Sequence, residues 1–221
     1  MYTLDELTLS DLLCQKATTH RNETFLKFRH GTLSFGEVER MAARLAHGLA
    51  DHGVGQHDHV AVMLPNCADF LYVIFALARL GAVAVPINTD YKGELLRHVV
   101  TSSDATLLIV DAPFVERLAR VEADLPELRS VVVRTDGAVD RSLQTPALAL
   151  TELLGDPDKG PRAPVRFCDL QAIMYTSGTT GPSKGVMVSH ALALTCALDS
   201  MTFMTHQPDQ TIYLDDIKLE R

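Results

Sequence analysis

Apolar positions along this chain switch repeatedly between a helical and an extended spacing. Val38, Met41, Ala42, Leu45, Ala46 and Leu49 recur at intervals of three and four, which places them on one face of a helix. Ser34-Phe35-Gly36-Glu37 opens that helix with capping-box spacing, and Gly53 is its expected stop. Upstream, Asp5–Ala17 has the pattern of a short amphipathic helix. Phe25–Phe28 and Thr32–Phe35 flank His30-Gly31 as a hairpin. Downstream, the β-rich runs Asp58–Leu64, Ala82–Ile87, Ala105–Val110 and Ser130–Arg134 alternate with helical patterns at Ala68–Leu80, Gly93–Ser103 and Phe114–Asp124. Asn66 is the expected cap of the first of these helices, and Gly81 its stop. Strands alternating with helices predict parallel α/β units covered on both faces.

Residues 136–164 break the alternation. They are rich in Pro, Gly and Asp, with one helical patch at Ala147–Leu154, and are expected to form a surface connector. Leu170–Tyr175 and Val186–Val188 then form two strands, and a helix is expected over His190–Met204. Between the strands lies the chemistry-bearing segment, Thr176-Ser177-Gly178-Thr179-Thr180-Gly181-Pro182-Ser183-Lys184-Gly185. Glycines let backbone N–H groups approach an anion, hydroxyls add short donors, and the lysine adds a point charge. That mixture suits a polyphosphate. A Walker loop is excluded by register: Gly178 and Gly181 are too close, and Gly185 follows Lys184 where Ser or Thr is required.

Composition narrows the classes further. The 221 residues are 47% hydrophobic and 22% charged, enough for a sizeable core. A net charge of −8 argues against a nucleic-acid partner. Cys14, Cys67, Cys168 and Cys196 lack metal or redox spacing, which fits a reduced, cytoplasmic compartment. The acidic N-terminus lacks a signal-peptide pattern, and the Phe70–Ala78 run is too short for a transmembrane segment.

The continuous run from Tyr175 to His190 resembles the phosphate-binding signature of the adenylate-forming superfamily: acyl-CoA synthetases, luciferases and peptide-synthetase adenylation domains. Leu33-Ser34-Phe35 with its capped helix, and Gly81-Ala82-Val83-Ala84-Val85-Pro86-Ile87-Asn88, are similar to two further family motifs. The segment Pro86–Glu94 is similar to the carnitine/crotonobetaine-CoA ligase branch. The resemblance covers roughly residues 10–213. It implies an α/β fold of partly parallel sheets flanked by helices, an incomplete N-terminal domain of the adenylate-forming fold.

The resemblance also implies a reaction, in which a small-molecule carboxylic acid reacts with ATP to give an acyl-adenylate, and coenzyme A then takes the acyl group. Thr176, Ser177, Gly178, Thr179, Thr180, Gly181 and Lys184 are the implied contacts to the β- and γ-phosphates, with ATP, Mg²⁺ and coenzyme A as the cofactor set. Family segments carrying adenine, ribose and metal contacts and the adenylation lysine are expected beyond Arg221. No catalytic or metal-binding residue is therefore assigned here. The expected organisation is a partial AMP-binding domain over 1–214 and a divergent charged tail over 215–221, without the C-terminal domain and inactive alone. Two alternatives stay open, a non-catalytic ATP-binding remnant and a peptide-synthetase-like adenylation module. A homo-oligomer also stays open. His190 is expected to be structural, and His47, His52, His57 and His59 to be solvated surface residues.

Overall fold

The computed structural model describes residues 8–28, 31–139, 142–176 and 183–196, together with the backbone of 213–214 and 217–218. Its first helix, α1 (Leu9–Thr19), precedes the hairpin β1 (Thr24–Phe28) and β2 (Gly31–Ser34). Then follow α2 (Phe35–Asp51), β3 (His59–Met63), α3 (Ala68–Leu80), β4 (Val83–Pro86), α4 (Glu94–Ser102) and β5 (Leu107–Asp111). The rest comprises α5 (Val115–Ala119), β6 (Ser130–Arg134), β7 (Ala147–Ala149), β8 (Leu170–Thr176), β9 (Lys184–Ser189), and the short strands β10 (Tyr213–Leu214) and β11 (Ile217–Lys218).

The central sheet has the order β7-β6-β5-β3-β4-β8-β9. Every pairing is parallel except β8 with β9. Helices cover both faces, so the strands are apolar almost without interruption. One face of Val60, Val62, Ile109 and Val132 packs with α1, α2 and α3; the other, of Ala61, Met63, Leu108 and Val131, packs with α4 and α5. The α/β class with a largely parallel sheet is thus observed. The smaller sheet, β10-β11-β1-β2, is antiparallel and extends the N-terminal hairpin.

Local signals account for several boundaries. Ser34 Oγ accepts from the Glu37 N–H at 3.3 Å, and the Glu37 carboxylate accepts from the Ser34 N–H at 2.8 Å, so the capping box is complete. Gly81 ends α3 at φ 66°, a left-handed conformation that favours glycine.

Four expectations need revision. The first helix starts at Leu9, capped by the Thr8 hydroxyl. The cap of α3 is Cys67 and not Asn66. Residues 114–124 form only a five-residue helix between single 3₁₀ turns. Residues 147–154 do not begin as a helix. Ala147–Ala149 pair with β6 as the outermost strand, and a 3₁₀ turn follows at Leu150–Leu153. Ala147, Leu148 and Ala149 suit either conformation locally, and the open edge of β6 supplies ladder partners that favour the strand. Ile217–Lys218, within the segment 215–221, pair with β1.

At the opposite edge of the central sheet the apolar side chains are less covered. Met187 is 73% exposed, and Met174 and Val186 are each 46% exposed.

Candidate phosphate-binding site

β8 and β9 form an antiparallel hairpin, as the motif predicts. Its register pairs Tyr175 with Gly185 and Thr176 with Lys184. Because β8 runs parallel to β4, the hairpin mouth opens at the sheet edge where β3, β4, β5 and β6 also end. Ligand sites of open α/β sheets lie at that edge. Thr176 and Lys184 are both exposed there, directly opposite each other. Ser177, Gly178, Thr179, Thr180 and Gly181 lie outside the described residues.

Gly185 has a steric reason to be glycine. A Cβ at that position would lie 2.7 Å from Ile173 Cγ2 and 3.3 Å from the Tyr175 ring. The missing side chain lets the Tyr175 ring lie across β9. Tyr175 Oη is 2.8 Å from Ser102 Oγ on α4. Four residues earlier, His98 Nε2 is 2.8 Å from the Ser183 carbonyl oxygen. Since a carbonyl only accepts, His98 carries its proton on Nε2. The two rings meet edge to face, with centroids 6.2 Å apart.

On the other side of the hairpin, His190 follows β9 and begins a helix that is described over residues 190–196; the rest of the expected span, 197–204, lies outside the described residues. It is fully buried. Its N–H donates to the Asp169 carbonyl at 3.2 Å, and its Nδ1 accepts the Leu9 N–H at 3.3 Å. The proton is therefore on Nε2, which has no partner among the described residues. Burial pushes the imidazole pKa below its usual value, against the pull of Asp169 and Asp11. These bonds tie the start of α1 to the exit of the β8–β9 hairpin.

Further groups lie along the same sheet edge. Arg134 ends β6 and bridges Asp69 (2.5 Å) in the first turn of α3 and Asp111 (3.0 Å) at the end of β5. Hydrogen bonds to Asp69 and then Asp111 raise the guanidinium pKa, partly opposed by burial. Neighbouring Cys67 is pushed up by burial, which makes it a poor nucleophile. A cavity of about 340 Å³ lies at the ends of β3 and β4, lined by Leu64, Asn66, Phe70, Ile87, Asn88 and Thr89 among others. A larger one, of about 450 Å³, lies between α1, α2 and the 157–159 turn and shares no residue with the hairpin.

The four clustered histidines do not converge. His47 Nδ1 accepts the Asp156 N–H, His52 bonds Ser130 Oγ, and His59 Nδ1 bonds the Ser103 carbonyl. His47, at 21% side-chain exposure, and His59 are part-buried, so the expectation of solvated surface residues does not hold for them. Among the described residues no group of three or more His, Cys, Asp or Glu is placed to hold a metal, and no helix is long and apolar enough to cross a membrane.

Comparison with known proteins gives the family. The family model described as AMP-binding enzyme matches residues 13–216. The chain belongs to this AMP-binding enzyme family. A feruloyl-CoA synthase from an Amycolatopsis species is 36% identical over 164 residues, covering 73% of this chain and 30% of that protein. Tyrocidine synthase 3 from Brevibacillus parabrevis is 30% identical over 195 residues, covering 88% of this chain and 3% of that protein. Among solved structures, the anthranilate CoA ligase AuaEII in complex with anthranoyl-AMP superposes with a TM-score of 0.77 at 25% identity. That match covers 86% of this chain and 36% of the ligase. The chain thus spans a third or less of the curated relatives named here.

In this family member, the motif alone points to Thr176 and Lys184 as candidate contacts. It does not reveal the α4 contacts or the Arg134 bridge. The one hint in the sequence is that His98 and Ser102 are four residues apart, and so share a helix face.

Proposed function

We propose that the β8–β9 hairpin of this AMP-binding protein takes the polyphosphate of ATP during AMP-forming activation of a small carboxylic acid. The observation that carries this is the Thr176–Lys184 pair, a hydroxyl and an ammonium facing each other at the mouth of the hairpin, on the ligand edge of the sheet. In the reaction a carboxylate oxygen attacks the α-phosphorus, the bond to the bridging oxygen breaks, and pyrophosphate leaves. Lys184 would balance charge on the β- and γ-phosphates and Thr176 would donate to a phosphate oxygen, the positioning and charge stabilisation that phosphoryl chemistry needs. Mg²⁺ belongs to this proposal as the nucleotide's counter-ion, and no step is assigned to a metal held by the described residues.

The second half-reaction, transfer of the acyl group to the thiol of coenzyme A, is also part of the proposal. It is supported by likeness to proteins named as CoA ligases. The match to tyrocidine synthase 3 supports the peptide-synthetase-like alternative. Both readings begin with adenylation, so the role of the hairpin is the same in each.

Calorimetric titration tests the placement. Lys184→Ala is expected to weaken ATP binding by about 1–3 kcal/mol, the worth of a charge-assisted contact, and to change AMP binding much less. Equal losses for ATP and AMP would refute it.

A further inference from the structure

Helix α4 holds both strands of the phosphate hairpin immediately beside the two residues assigned to the polyphosphate. His98 Nε2 donates to the carbonyl of Ser183, which immediately precedes Lys184. Ser102 engages the hydroxyl of Tyr175, which immediately precedes Thr176. Ser102 Oγ also lies 2.6 Å from the His98 carbonyl, and its single proton goes there. Tyr175 is therefore the donor to Ser102. One helix face thus grips both sides of the hairpin mouth, and Gly185 makes room for the ring that completes the grip.

We propose that His98, with Ser102, is a positioning residue for polyphosphate binding, fixing the Ser183 peptide so that Lys184 stands opposite Thr176. This rests on the function proposed above. The physical reason is local. Among the described residues β9 is the outermost strand of the sheet, with a ladder partner on one side. Its first residue, Lys184, is where the ladder ends, and edge ends fray first. A part-buried cross-element hydrogen bond one residue earlier removes that freedom, so less ordering is left for the nucleotide to impose. His98 and Ser102 touch the backbone and a neighbouring side chain, not the phosphate contacts, so the device acts through placement alone.

The test uses the whole chain and its His98→Leu, His98→Gln and Ser102→Ala variants, with Lys184→Ala as reference. Leucine keeps the bulk and removes the donor; the glutamine amide restores an N–H at nearly the same reach. In His98→Leu without nucleotide, amide exchange at residues 184–186 is expected to speed up about fivefold, the effect of one net hydrogen bond. ATP affinity should fall by a similar factor, with AMP affinity changed by less than about twofold. His98→Gln should restore both, and Ser102→Ala should speed exchange at Tyr175 and Thr176. Unchanged exchange at 184–186 in His98→Leu overturns the clamp. Failure of His98→Gln to restore exchange overturns the assigned donor role. If exchange responds but ATP and AMP weaken equally, the clamp is structural and its proposed purpose is wrong. If Lys184→Ala leaves ATP affinity intact, the polyphosphate reading itself fails, whatever the exchange data show.

Discussion

Replacing Gly48 by alanine ought to stabilise an isolated helix, since alanine is favoured over glycine by about 1 kcal/mol in a helix interior. In this protein it should do the reverse. Gly48 lies within α2, and a Cβ there would meet the Leu153 carbonyl oxygen at 1.7 Å and its carbon at 2.4 Å, where ordinary contact begins at 3.4 Å. The obstacle is backbone, so rotamer adjustment cannot relieve it. The 150–156 segment must retreat from α2. Leu150 and Leu153, 6% and 4% exposed, would then lose packing. The paired bonds between Arg44 and Gly155, at 3.1 and 3.2 Å, and the Asp156 N–H to His47 bond at 2.8 Å would stretch. Overpacking costs about 1–3 kcal/mol, and each net hydrogen bond about 1 kcal/mol. After the helix gain is subtracted, a net loss of about 2–4 kcal/mol is expected, or about 5–15 °C in Tm for a chain of this size. Thermal unfolding of Gly48→Ala against the unchanged chain measures it. Gly31→Ala is the control, because a Cβ there meets nothing within 4 Å. A Gly48→Ala protein as stable as the unchanged chain would show that the 150–156 segment does not seat on α2 as described.

The buried histidine and the arginine bridge give two further expectations. The pKa of His190 is depressed below 6.5, so its contribution is fully present above that pH. It is lost as pH falls toward the folded-state value, by at most about 1.4 kcal/mol per pH unit. His190→Asn, which keeps an acceptor for the Leu9 N–H, should flatten the acid side of the urea-unfolding profile; identical slopes would refute the assignment. Arg134→Met leaves Asp111, 8% exposed, without its bridge. A loss of about 1–3 kcal/mol is expected, below the fully buried case because Arg134 and Asp69 are about a third exposed. Adding Asp111→Asn should recover part of that loss, and a double variant no more stable than the single would contradict the cause.

What the sequence determined by itself was local. The Ser34–Glu37 box spans three residues, Gly81 carries its own left-handed preference, and the alternation of patterns is enough to predict a parallel sheet with both faces covered. The motif gave a strand–loop–strand unit, with Thr176 and Lys184 in the loop, because both strands and the turn lie within twenty residues; the structure carries the ladder one step further and pairs those two residues. Tertiary structure decided whatever needed a distant partner. Residues 147–149 became a strand because the edge of β6 offered ladder bonds that a local pattern cannot show. His98 meets Ser183 across 85 positions, Arg134 meets Asp69 across 65, and His190 meets Leu9 across 181. Each of those residues looks like an ordinary polar side chain in sequence. Packing helices against both faces of one sheet brings them to shared edges, where partial burial gives a single hydrogen bond its consequence.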